Sequence, residues 1–218
     1  NNFSNCRQNT IMRNILICGD SFAVDYEKYN VSEPGMKPPH KGWPNYLAEK
    51  HNVTNVATPG VGQWKIWKQV EKADLDKFDT VIVSVGTPNR VYCKTHPIHK
   101  EGMHKHSDLM YMDIDRRSWF NKELTTAKNW FLYFYDQEYQ DDLYEMITEK
   151  MLNTIKDKNY ILLGHNYSRI LGHHYTKIDL DDPHFIDCGD LWTHERGSVN
   201  HYNHTGAIEI LKRVEARL

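Results

Sequence analysis

The chain has 218 residues, 39% of them apolar, 12% aromatic and 26% charged, with a formal net charge of -2. That length suits one hydrophobic core and a single domain over residues 1–218. Acids and bases are mixed throughout, so neither a nucleic-acid footprint nor a membrane-attracted surface is expected. No apolar run approaches the ~18 residues that a membrane-spanning helix requires.

The stretch from Asn1 to Ile11 is polar and lacks the apolar core of a secretory signal. Met12 reads as a natural start, leaving residues 1–11 as an extension. Cys6, Cys18, Cys93 and Cys188 show no paired spacing, which points to a reduced, cytoplasmic setting. Cys18 and Cys188 stand in apolar contexts as small core residues.

Ile15-Leu16-Ile17-Cys18 reads as a strand covered on both faces. It runs straight into Gly19-Asp20-Ser21, a tight turn that sets a serine hydroxyl at the strand's carboxyl end. Pro34, Gly35, Pro38 and Pro39 exclude a long helix between Ala23 and Gly42. A helix is predicted from Trp43 to Lys50, with proline in its first turn. A second strand follows from Asn52 to Ala57, ending in the turn Thr58-Pro59-Gly60-Val61-Gly62, and a helix runs from Trp64 to Ala73.

Thr80-Val81-Ile82-Val83-Ser84-Val85-Gly86 is β-branched almost throughout and is a third strand. It enters the polar turn Thr87-Pro88-Asn89-Arg90. From Val91 to about Ser118 the pattern dissolves into a His-rich segment, followed by helical stretches from Asn121 to Tyr135 and from Tyr139 to Ile155. Residues 91–139 exceed a simple crossover and read as an insertion shaped to act as a lid. Tyr160 to Gly164 and His184 to Cys188 are the last two strands, and an amphipathic helix closes the chain from His204 to Leu218. Strands alternating with helices predict a flavodoxin-like three-layer α/β/α sandwich with a parallel sheet of about five strands and right-handed crossovers.

In such a sheet, ligands gather at the carboxyl ends of the strands. The turns there, with the cluster Asn200 to Gly206 before the last helix, supply a serine, a histidine, glycine amides and an asparagine amide. That is the inventory of acyl transfer: a serine attacks, a histidine takes its proton, and N–H donors stabilise the oxyanion.

These blocks resemble, in order and over most of the chain, the SGNH hydrolases, also called GDSL esterases or lipases. Gly19-Asp20-Ser21 is similar to the family's nucleophile block, and Asn55-Val56-Ala57-Thr58-Pro59-Gly60 to the second block, whose glycine donates an oxyanion N–H. Gly86 to Asn89 resembles the third block, with one extra residue and with Arg90 in place of an aspartate. His201-Tyr202-Asn203-His204-Thr205-Gly206 keeps the His-x-Asn-x-x-Gly frame of the last. The resemblance implies Ser21 as nucleophile, His201 as base, and Ser21, Gly60 and Asn89 as oxyanion donors. It also implies small O-acyl esters as substrates, O-acetyl groups on sugars among them, and no metal or other cofactor. The family's aspartate position falls on Ser198, whose hydroxyl cannot stabilise an imidazolium as a carboxylate does. The site is then a Ser21–His201 dyad, or Asp187, Asp190 or Glu195 supplies the acid.

Simpler roles compete with each of these. Ser21 reads as a helix N-cap, Asp20 as a turn-forming acceptor, and His201 or His204 as a cap of the last helix. His96, His99, His104 and His106 lack a zinc-ligand spacing and read as solvated loop residues. Trp130 to Tyr135 reads as an aromatic string with one face buried on the sheet and the other offered to a partner subunit or the pocket. An acyltransferase using the same residues, a non-catalytic binding protein of this fold and a metal-dependent phosphoesterase are the alternative functions. No nucleic-acid or membrane partner is expected, and the oligomeric state is open.

Overall fold

A computed structural model describes residues 11–29, 41–115, 121–165, 182–194 and 201–218. Five strands, β1 (Asn14–Cys18), β2 (Asn52–Asn55), β3 (Thr80–Ser84), β4 (Asn159–Gly164) and β5 (Phe185–Asp187), form one sheet in the order β2-β1-β3-β4-β5. All four pairings are parallel. The chain steps from β1 outward to β2, then returns past β1 to β3. The strand order therefore reverses between β1 and β3, and a switch of that kind opens a site at the strands' carboxyl ends.

Period-two alternation divides the sheet's side chains between two cores. Ile15 and Ile17 of β1, Ile82 of β3 and Ile161 and Leu163 of β4 pack against Trp43, Leu47, Ile210, Leu211 and Val214. Those partners come from two helices, α2 (Trp43–Ala48) and α8 (His204–Glu215). Leu16, Cys18, Val81, Val83 and Leu162 face the other way, onto Ile66, Trp67, Val70, Tyr144, Ile147, Met151 and Ile155. These belong to α3 (Gln63–Lys72) and α6 (Gln137–Ile155). Helices thus cover both faces, giving the three-layer α/β/α architecture. Fully burying each Leu, Ile or Val is worth about 1.5–3 kcal/mol, so the sheet is anchored from both sides.

The remaining helices among the described residues are short or peripheral: α1 (Tyr26–Tyr29), α4 (Tyr111–Asp115), α5 (Lys122–Tyr133) and α7 (Gly189–His194). Neither α1 nor α7 is evident from periodicity, since one or two turns are too short to show it. The aromatic string departs from expectation. Phe131 is buried with Ile114 and Leu124 against Val91, Ile98 and Leu109, a satellite cluster within the inserted segment rather than on the sheet. Leu132, Tyr133 and Phe134 remain exposed. Among the described residues, no helix is long and apolar enough to cross a membrane.

Candidate active site

Gly19 follows β1 with φ +155°, and a Cβ there would meet the Ser84 Cβ at 2.6 Å, so only glycine lets β1 turn this close to β3. The Gln69 side chain cradles the Gly19 peptide: its Oε1 accepts from Gly19 N at 2.7 Å and its Nε2 donates to Gly19 O at 3.1 Å. Asp20 is buried, and its Oδ1 accepts from Phe22 N at 3.0 Å, the Asx-type turn expected of that residue. Beyond the turn, Trp43 Nε1 donates to Phe22 O at 2.9 Å and Asn55 Nδ2 to Ala23 O at 2.8 Å. Ser21 therefore rides on a turn tied down on both sides.

The other turns converge on it. Thr58 N donates to Gly19 O at 3.0 Å, which sets the Thr58-Pro59-Gly60 turn beside the Gly-Asp-Ser turn. Arg90 reaches over from the end of β3, its Nη1 donating to Gly60 O at 3.0 Å. His201 lies across the ring of Phe22, centroid to centroid 5.2 Å, and edge-on to Tyr26 at 6.1 Å. Tyr26 in turn donates its hydroxyl to Ser21 O at 3.1 Å. Ser21 and His201 thus share two aromatic neighbours.

Asn89 follows β3 on the same edge and lines a cavity of about 390 Å³ with Met110, Tyr111, Met112, Phe131, Leu132 and Tyr135, all from the inserted segment. Its Oδ1 is buried with no hydrogen-bond partner among the described residues. Asp190 is gripped by Arg213, which donates Nη1 to Oδ1 at 2.8 Å and Nη2 to Oδ2 at 2.7 Å. Those bonds hold its carboxyl below the usual carboxylate range. Asp187 Oδ1 accepts from Gly189 N at 2.7 Å. Glu195 and Ser198 lie outside the described residues. The N-cap of α8 is Asn203, accepting from Gly206 N at 2.9 Å, while His204 Nδ1 meets the Tyr46 hydroxyl at 3.0 Å.

One buried residue was not anticipated. His165, at the end of β4, stacks on Phe22 at 4.4 Å and 15°. Its Nε2 is 2.8 Å from Ser84 Oγ, which also lies 3.4 Å from Asp20 Oδ1. Its Nδ1 is 3.1 Å from the Tyr202 hydroxyl, which donates to Cys188 O at 3.0 Å. The single hydroxyl proton of Tyr202 is spent on that carbonyl, so His165 presents its Nδ1–H to the Tyr202 oxygen, while its Nε2 faces the Ser84 hydroxyl, which Asp20 Oδ1 shares. Burial, and secondarily the charge of His201 beside it, brings the His165 pKa down to about 3. Burial pushes the Asp20 carboxyl the other way, up to about 6, against the opposing pull of Phe22 N–H, the Arg90 charge and the Ser84 hydroxyl. The sequence signal for His165 was slight: a polar residue directly after a buried strand.

The inserted segment holds a second surprise. His96 is 7% exposed and its Nδ1 faces the N–H groups of Ile98 and His99 at 3.4 and 3.3 Å, so it is a buried loop organiser rather than a solvated side chain. Among the described residues no group of three or more His, Cys, Asp or Glu side chains is placed to hold a metal ion. Cys18 and Cys188 are free thiols, pushed up to about 12 by burial and hence unreactive.

No protein-family model and no curated protein sequence matches the chain. Among solved structures it is similar to a lipase/acylhydrolase from Enterococcus faecalis, with 16% identity, 95% of this chain and 97% of that one covered, and a TM-score of 0.48. It is also similar to a catalytic mutant of an acetylxylan esterase from Geobacillus stearothermophilus, at 13% identity, 95% of each chain and a TM-score of 0.48. A third is a lipolytic protein of the G-D-S-L family from Desulfitobacterium hafniense, at 11% identity, 94% and 99% coverage and a TM-score of 0.44.

Proposed function

We propose that the protein is a serine-dependent hydrolase of carboxylic esters, acting on small O-acyl groups through an acyl-enzyme at Ser21. The observation that carries this reading is the sharing of Phe22 and Tyr26 by Ser21 and His201, with the Gly60 turn bonded to the nucleophile turn through Thr58 N. In the proposed reaction Ser21 Oγ attacks the ester carbonyl carbon while His201 accepts the hydroxyl proton. The Ser21 and Gly60 amides, with the Asn89 side chain, donate to the oxyanion, each such donor being worth about 3–4 kcal/mol in the transition state. Collapse breaks the ester C–O bond, and His201 returns the proton to the departing alcohol. Water then repeats the cycle on the acyl-enzyme, releasing the acid and restoring Ser21.

His165 contributes by staying neutral. A second imidazolium behind Phe22 would oppose the positive charge that His201 gains in each half-reaction, and burial of His165 prevents it. The test is covalent labelling with a fluorophosphonate, with the adduct located by peptide mass. Label on Ser21, lost in Ser21→Ala together with hydrolysis of p-nitrophenyl acetate, is the expected result. An unlabelled wild-type protein that hydrolyses no ester between pH 6 and 9 would refute the reading.

A further inference from the structure

The inserted segment touches the Gly60 turn at its most sensitive point. Gly60 has φ +69°, and a Cβ there would lie 2.5 Å from Ser107 Oγ and 2.9 Å from Ser107 Cβ, so the Ser107 side chain occupies the space that a Gly60 side chain would need. Ser107 is 5% exposed and its hydroxyl donates to Pro59 O at 2.9 Å. Pro59 O and the Gly60 N–H belong to the same planar peptide group, so holding the oxygen fixes the direction in which the N–H points. The next peptide is held as well: Gly60 O accepts from Asp108 N at 2.8 Å and from Arg90 Nη1 at 3.0 Å.

Asp108 is itself anchored. It is 2% exposed, its Oδ2 accepts from Gly62 N at 2.7 Å, and its Oδ1 accepts from Cys93 N at 3.0 Å and pairs with Lys65 Nζ at 2.6 Å. Ser107 also has a partner behind it, His104 Nδ1 at 3.2 Å. The Ser107 proton goes to Pro59 O, which can only accept, so the His104 nitrogen is the donor to Ser107 Oγ. The result is a directed chain, His104 N–H to Ser107 O–H to the Pro59–Gly60 peptide, ending at the Gly60 N–H. Hydrogen bonds in series polarise one another, and a donor to the carbonyl strengthens the N–H across the same amide.

We infer that Ser107 is a positioning residue for catalysis, aiming and polarising the Gly60 N–H toward the oxyanion. This inference rests on the esterase reading, in which that N–H is an oxyanion donor. It gives the His-rich segment a task at the reaction centre other than that of a lid. The effect belongs to the tetrahedral state, so it acts on kcat and leaves KM nearly untouched.

The experiment compares wild type, Ser107→Ala and Ser107→Thr in p-nitrophenyl acetate hydrolysis, in inhibition by phenylboronic acid, which forms a tetrahedral adduct with an active serine, and in thermal melting. Ser107→Ala is expected to lower kcat by about 10-fold or more and to weaken phenylboronic acid by a similar factor. KM should change less than twofold, and Ser107→Thr, which keeps the hydroxyl, should recover most of the loss. Wild-type activity with an unchanged kcat and inhibition constant in Ser107→Ala would overturn the inference while leaving the nucleophile in place. So would a loss of kcat matched by a lower melting temperature with phenylboronic acid binding intact. A wild-type protein that neither hydrolyses the ester nor binds the boronate removes the esterase reading, and the inference with it.

Discussion

The buried pair Asp20 and His165 makes opposite demands on the proton, and this can be read from stability as a function of pH. His165 ionises at 6.5 in an unfolded chain and near 3 when folded. The unfolded state therefore binds more protons below pH 6.5, and stability falls as the pH drops through that value. Asp20 ionises at 3.8 unfolded and near 6 when folded. Here the folded state binds more protons between those values, so stability rises as the pH drops through 6. One pKa unit corresponds to about 1.4 kcal/mol. Going from pH 7 to 5, His165 costs one and a half units, about 2 kcal/mol, while Asp20 returns one unit, about 1.4 kcal/mol. The two partly cancel in the wild type.

Single substitutions separate them. Asp20→Asn and His165→Gln keep hydrogen-bonding side chains but remove the titration, and urea unfolding at pH 7 and 5 gives the change in stability for each protein. Relative to wild type, Asp20→Asn is expected to lose about 1.4 kcal/mol more on acidification, and His165→Gln about 2 kcal/mol less. The contrast between the variants is then about 3 kcal/mol, larger than the uncertainty of the extrapolation. Packing changes enter at both pH values and drop out of the difference. If both variants follow the wild-type pH dependence to within about 0.5 kcal/mol, the two groups are not held in these protonation states and the reasoning fails.

Two further expectations concern the site. Gly60→Ala places a methyl group against Ser107 at a left-handed backbone position. It should cost about 1–3 kcal/mol of stability in urea unfolding and reduce ester hydrolysis more severely than Ser107→Ala, since it displaces the donor itself. Asp190→Ala removes one partner of Arg213 at an exposed position, leaving Asp187 O and Glu209, so a stability loss below about 1 kcal/mol and a kcat within tenfold of wild type are expected. A fall in kcat of ~10⁴-fold would instead make Asp190 the carboxylate that orients His201.

Much of the fold was legible because it is written in local patterns. The apolar runs of β1, β3 and β4 need cover on both faces, and the spacing of Ile66, Trp67 and Val70, or of Ile147, Met151 and Ile155, admits only a helix with one buried stripe. Those patterns suffice for alternating strands and helices, and hence for a parallel sheet between two helical layers. Ser21, Gly60, Asn89 and His201 could be named as candidates because short turn motifs mark them. Contacts between residues far apart in the chain leave no such mark. Nothing near Asp190 says that Arg213 will take both its oxygens, and nothing near Ser107 says that it will hold the Pro59 carbonyl, 48 positions away. His165 looks like any loop residue until burial between Ser84, Phe22 and Tyr202 deprives it of water. Periodicity and turn chemistry act over a few residues and are carried by the sequence alone. Desolvation and the choice of hydrogen-bond partner exist only once the chain has folded, so the tertiary structure alone decided which polar groups surround the proposed nucleophile.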